Sequence, residues 1–148
     1  MKRVSQLTAL ALLIGLAASP SFAAETMPTL TLSALQQQHG IAIDTRLSAF
    51  YNGWPQQANG PQGHEPQALN LSASWLSAMN DEQLSAWAQQ HQLRADTPVA
   101  LYGSDTDNAK VAARLQAAGF THLSTLSDAL SHPERLQKLP HFEQLDYP

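Results

Sequence analysis

Three polar stretches hold the side chains able to do chemistry: Asp44-Thr45-Arg46, Gly63-His64-Glu65-Pro66 and Gly103-Ser104-Asp105-Thr106-Asp107-Asn108. An Asp and an Arg two residues apart, directly after an apolar run, suit a buried ion pair or an anion site at the end of a strand. A loop histidine such as His64 can act as acid or base. Ser104 could be a nucleophile only with a base and an orienting partner beside it. The plainer expectations are that Asp44 and Arg46 pair with each other, that His64 packs its loop over a sheet, and that Ser104 and Asp105 form a turn or helix cap. The chain has no cysteine at all, which excludes thiolate nucleophiles, persulfides and disulfides together. His39, His91, His122, His132 and His141 show no close metal-ligand spacing, so neither a metal nor another cofactor is expected, and His132 and His141 are read as surface residues.

With 148 residues, 43% hydrophobic and 14% charged, the chain has the size and make-up of one globular domain. Met1-Lys2-Arg3, an apolar run over Val4 to Ala18 and the small-residue exit Ser21-Phe22-Ala23 form a secretory signal peptide, residues 1–23, with cleavage expected after Ala23. The run is shorter than the ~20 residues that span a bilayer. Loss of Lys2 and Arg3 leaves 6 Lys and Arg against 12 Asp and Glu, a formal charge of −6. An acidic exported protein with no Lys/Arg cluster is a poor partner for nucleic acid, and no membrane association is expected once the signal is removed.

The elements that must position the three polar stretches are short. Residues 24–29 read as a leader and Leu30 to His39 as a helix with Leu32 and Leu35 on one side, stopped by Gly40. Ile41-Ala42-Ile43 is a buried strand, residues 52–66 a long Gly/Pro-rich loop, and Ala68 to Leu71 a short extended piece. Asn80-Asp81-Glu82-Gln83 carries a capping-box pattern that starts a helix running to about Gln92, with Leu84, Trp87 and Ala88 inward. Val99 to Tyr102 is a second buried strand, Gly103 to Asn108 a polar loop, and the following helix turns Val111, Ala112, Leu115 and Ala118 inward before Gly119. Phe120 to Leu123 reads as a third strand, and Ser127 and Pro133 each start a helical turn. Trp54, in the loop, is read first as core packing and second as a contact surface. Apolar strands separated by helices predict an α/β fold, a parallel sheet with helices on both faces, whose ligands sit at the carboxyl ends of strands, near Asp44 to Arg46 and Gly103 to Asn108.

At those ends the residues take on a recognisable pattern. Asp44-Thr45-Arg46 after a strand, Phe50-Tyr51-Asn52-Gly53, and Gly63-His64-Glu65-Pro66-Gln67-Ala68-Leu69-Asn70 resemble the rhodanese family of sulfurtransferases, whose early signature is Asp-x-Arg followed by Gly-His-x-Pro-x-Ala-x-Asn. The strand Val99 to Tyr102, its loop and helix, and Gly119-Phe120 match the second half, so the resemblance covers residues 30–139. Residues 42–46, 48–55 and 140–145 are similar to the first, cysteine-free domain of an exported thiosulfate sulfurtransferase that strings several such domains together, with its reactive cysteine in the last.

The resemblance implies a single rhodanese-like domain over 30–139, with Asp44, Arg46, Gly63, His64, Pro66 and Asn70 as structural signature residues. It also places the family cysteine where this chain has Gly103. In a working rhodanese the residues after that cysteine curl so that backbone amides surround the sulfur. Here glycine offers no nucleophile, and Asp105 and Asp107 would repel thiosulfate, so Gly103 to Asn108 is expected to be a vestigial loop with no catalytic residue. The expectation is a non-catalytic module, structural or regulatory, that packs against a cysteine-bearing rhodanese domain in cis or in trans, with residues 140–148 a tail or the start of an interdomain linker. The alternatives are a freestanding periplasmic binding or interaction module and a non-functional truncated product.

Overall fold

Along Val99-Ala100-Leu101-Tyr102 the pleat sends alternate side chains to opposite faces. Val99 and Leu101 enter one apolar cluster with Ile43, Leu71, Leu84, Val111 and Leu115, while Ala100 and Tyr102 enter a second with Leu32, Leu35, Ala42 and Leu126. Two cores on either side of one strand require a sheet covered on both faces. The computed structural model of the chain describes residues 27–139. The signal peptide with its cleavage site at Ala23, the first residues of the leader, His141 and the segment 140–148 lie outside the described residues.

The sheet is parallel throughout and has five strands: β1 (Thr29–Leu30), β2 (Ile41–Asp44), β3 (Leu69–Asn70), β4 (Val99–Tyr102) and β5 (Leu123–Leu126), in the spatial order β1-β5-β4-β2-β3. The helices are α1 (Leu32–Gln37), α2 (Ser48–Asn52), α3 (Ala73–Leu76), α4 (Asp81–Gln90) and α5 (Asp105–Ala117), and a 3-10 turn spans Pro133–Arg135. The α/β class with helices on both faces is as the sequence predicts. Local chemistry explains the helix starts. Asn80 and Gln83 close a reciprocal capping box at 2.8 and 2.9 Å, Thr31 accepts from the Ala34 amide, and Ser104 accepts from the Asp107 amide. Among the described residues no helix is long and apolar enough to cross a membrane.

Several expectations are corrected. The stretch Gly103 to Asn108 is not a loop: α5 begins at Asp105, because Ser104 caps it and the Asn108 amide already bonds to the Ser104 carbonyl. The last strand is Leu123–Leu126 rather than Phe120 to Leu123. The Thr121 amide is taken by Ala95, and pairing with β4 starts only at Leu123; Ser124 and Thr125 hide this strand from an apolar-run reading. Ala118 is exposed at the C-cap of α5. Leu30 belongs to edge strand β1 rather than to α1, and Thr29 joins it there, with Met27 buried in the core, so residues read as leader are part of the fold. Trp54 is 42% exposed, against its reading as core, and Trp87 is half-buried against the core cluster.

Candidate functional site

The parallel register pairs Asp44 with Tyr102 at the carboxyl ends of the two central strands. The Thr45 amide then bonds to the Tyr102 carbonyl at 2.9 Å, so the Asp44-Thr45-Arg46 corner and Gly103 are held side by side. Arg46 turns back on Asp44, with Nε 3.0 Å from Oδ1 and one terminal nitrogen 2.7 Å from Oδ2; the same nitrogen donates to the Gly63 carbonyl at 2.7 Å, and the other reaches Gln56 at 3.4 Å. The pair is buried on both sides, and the guanidinium carbon lies 5.8 Å from the centre of the Tyr102 ring. Both ends of the corner are tied down by Asn70, whose side-chain amide donates to the carbonyls of Asp44 and Arg46 at 3.0 and 3.1 Å. This arginine is committed to structure and offers no face to an anion.

The Gly63-His64 turn serves the same scaffold. Gly63 has φ +100, and a Cβ there would collide with the Gln137 carbonyl, so only glycine allows His64 and Gln137 to exchange backbone hydrogen bonds at 2.8 and 2.9 Å. His64 is buried, stacks on Tyr51 with ring centres 3.7 Å apart, and donates from Nδ1 to the Tyr51 carbonyl at 2.7 Å. The carbonyl can only accept, which places a proton on Nδ1. The Tyr51 hydroxyl in turn donates to the Ala68 carbonyl. Pro66 is half-buried in the same turn.

One part of the site has no counterpart in the sequence reading. Glu65 is fully buried and receives Arg135 through two bonds of 2.7 and 3.1 Å, together with the Leu130 amide at 2.9 Å. Arg135 also donates to the Asp128 carbonyl, and Asp128 accepts from the Leu32 amide. The Glu65 amide donates to the Tyr102 hydroxyl at 2.9 Å, which links this ion pair to the Asp44–Arg46 side. Burial, then the negative charge of Asp44, push the Tyr102 phenol far above its ordinary value, and the same causes in the same order raise Tyr51. Glu65 holds Arg135 firmly charged through its hydrogen bond. Among the described residues no buried side-chain nitrogen or oxygen lacks a hydrogen-bond partner. The signal that could have found Glu65 is its isolation: a lone carboxylate between a buried His and a Pro needs a distant cation.

Gly103 itself stands at the mouth of this network with φ +145. A Cβ on it would collide with the Thr45 hydroxyl and come 3.4 Å from Arg46 Cγ. That hydroxyl shares its one proton between the Tyr102 carbonyl at 3.1 Å and Asn108 Oδ1 at 2.9 Å. The space a cysteine Cβ would need is therefore filled by a Thr45–Asn108 bridge running from the corner after β2 to the second turn of α5. Ser104 is a helix cap with its hydroxyl oxygen engaged, and no base stands beside it among its hydrogen-bond partners. Asp105 and Thr106 are exposed on the first turn of α5, and Asp107 is half-buried. Among the described residues no group of three or more His, Cys, Asp or Glu could hold a metal ion. A cleft of about 690 Å³ lies at the opposite, amino-terminal end of the sheet, against Pro28, Pro98, Phe120 and His122.

The parallel sheet covered on both faces, with the Asp44–Arg46 corner, the Gly63-His64 turn and a strand-to-helix junction side by side at its carboxyl end, has a rhodanese-like fold. Over all 148 residues it is 68% identical to thiosulfate sulfurtransferase YnjE of Escherichia coli (strain K12), and it spans 34% of that protein's length. The crystal structure of YnjE matches with a TM-score of 0.79 and 64% identity, over 89% of this chain and 31% of that one. Wild-type EanB matches with a TM-score of 0.68 at 23% identity, over 86% of this chain and 31% of EanB, a likeness of fold alone. No protein-family model matches the chain.

Proposed function

We propose that this chain is a non-catalytic rhodanese-like module, the first domain of an exported multi-domain thiosulfate sulfurtransferase, which packs against a cysteine-bearing rhodanese-like domain and supports it structurally. The observation that carries the reading is Gly103. It stands where the resemblance places the reactive cysteine, it cannot act as a nucleophile, and the Thr45 hydroxyl fills the volume a Cβ would need. Sulfur transfer needs a soft thiolate to attack the sulfane sulfur and release it again. On this reading that sulfur belongs to a cysteine outside these 148 residues, and the relation of the chain to one third of YnjE's length supports the multi-domain part. The sequence pattern of residues 1–23 supports export to the periplasm.

A freestanding periplasmic binding module is the second reading, favoured by the cleft at the amino end of the sheet. Intact mass of the native product in the periplasmic fraction, captured by an antibody to residues 27–60, separates the two. A species several domains long supports the first reading; one running from Ala24 to Pro148 overturns it in favour of the second.

A further inference from the structure

All five asparagines of the chain lie among the described residues, and two of them, Asn52 and Asn59, precede a glycine. Such a pair sets an electrophile beside a nucleophile, because the next backbone nitrogen can reach the side-chain carbonyl carbon when no Cβ stands in the way. Whether it does so depends on what holds the two groups. Asn70, Asn80 and Asn108 are held by their own side chains. The Asn70 amide donates to the Asp44 and Arg46 carbonyls, Asn80 Oδ1 accepts from the Gln83 amide at 2.8 Å, and Asn108 Oδ1 accepts from the Thr45 hydroxyl at 2.9 Å. Asn52 is half-buried at the last position of α2, and the buried Gly53 amide after it donates to both the Ala49 and Phe50 carbonyls, at 3.2 and 3.3 Å.

Asn59 has neither restraint. It is exposed, its carboxamide makes no hydrogen bond among the described residues, and its backbone sits in the left-handed region at φ +63, which asparagine tolerates in a tight turn. The Gly60 amide makes a single bond, 2.9 Å to the Gln57 carbonyl within the same short turn, so opening it disturbs no helix or strand. We infer that Asn59-Gly60 is the chain's site of spontaneous deamidation, a covalent modification that needs only water. The Gly60 nitrogen gives up its proton and attacks Asn59 Cγ; the new C–N bond closes a succinimide ring, and the Cγ–Nδ2 bond breaks to release ammonia, which carries the proton away. Water then adds to either ring carbonyl and reopens the ring as aspartate or as isoaspartate, whose main chain runs through the former side chain. One water is consumed and one ammonia leaves, with no oxidation or reduction. Either product places a new carboxylate in the loop whose Gln56 accepts from Arg46 at 3.4 Å. The modification depends on this turn alone and holds for either reading of the function.

Incubation of the purified chain at mildly alkaline pH, folded and in guanidinium chloride, with peptide mass spectrometry at each asparagine, tests the assignment. In the folded chain Asn59 is expected to convert several-fold faster than Asn52, to a mixture of aspartate and isoaspartate, with Asn70, Asn80 and Asn108 unchanged over the same period. In the unfolded chain Asn52 and Asn59 should react at similar rates. Gly60→Ala, which adds a Cβ to the attacking residue, should slow the reaction at Asn59 and leave Asn52 as it was. Conversion of Asn52 as fast as Asn59 in the folded chain would overturn the assignment, because the α2 bonds would then restrain nothing. So would an Asn59 that reacts only after unfolding, because the Gln57–Gly60 bond would then be a lock.

Discussion

Replacing Gly103 by alanine adds one methyl group at the position on which the account turns. Two costs follow from the structure. At φ +145 an L side chain is strained, a penalty of about 1–3 kcal/mol. The new Cβ also drives the Thr45 hydroxyl from its place between the Tyr102 carbonyl and Asn108, forfeiting a buried hydrogen bond of about 0.5–1.5 kcal/mol net. Together they predict that Gly103→Ala lowers stability by roughly 1.5–4.5 kcal/mol, read from urea unfolding as a lower midpoint at unchanged slope. Thr45→Ala removes the colliding oxygen but leaves the strain. The double variant should therefore be more stable than the sum of the single effects by about 0.5–1.5 kcal/mol. A Gly103→Ala change within about 0.5 kcal/mol of wild type, the range of an ordinary surface substitution, would refute the claim that the cysteine position has been filled in.

Gly103→Cys should carry the same penalty and, after incubation with thiosulfate, show no persulfide by intact mass, since the Thr45–Asn108 bridge occupies the space the side chain needs; a stable persulfide adduct would mean that only the sulfur was lost. Arg46→Ala leaves the Asp44 carboxylate buried without its cation and should cost about 3–5 kcal/mol in urea unfolding, as other broken buried pairs do. Glu65→Gln keeps the shape but discharges the partner of Arg135; because Arg135 is a quarter exposed, the expected loss is smaller, about 1–3 kcal/mol, with faster exchange of the Leu130 amide. Tyr102 has a folded pKa raised above its ordinary 10.0, so its contribution to stability is fully present below about pH 10 and is lost as pH rises beyond it, when the unfolded chain ionises and the folded one does not. Tyr102→Phe should flatten that alkaline decline in stability.

Much of this arrangement was legible because it is local. Ile41 to Ile43 and Val99 to Tyr102 are apolar runs bounded by turn residues, and the Asn80–Gln83 box announces α4 within four residues. The Asp44–Arg46 pair closes over two residues, so its spacing alone suggested it. What escaped is non-local or polar. Strand β1 is two residues long and exists only because β5 pairs with it. Strand β5 carries Ser124 and Thr125 in a core position and beside it, where the Ser124 hydroxyl is satisfied by the Val99 carbonyl. The Glu65–Arg135 bond joins residues 70 apart and the Thr45–Asn108 bridge residues 63 apart. No periodicity encodes such pairs; only the completed sheet brings their ends together. The loop expected over Gly103 to Asn108 is helix from Asp105 onward because Ser104 takes up the capping role its residue type allows, accepting from the Asp107 amide.

The central claim, that the fold persists here without the chemistry, is tested most directly by giving the purified chain thiosulfate and cyanide and measuring thiocyanate. The account predicts formation at the uncatalysed rate, unchanged in Ser104→Ala and His64→Gln variants. Thiocyanate produced in proportion to protein, and abolished by a substitution at Gly103, Ser104 or His64, would contradict it.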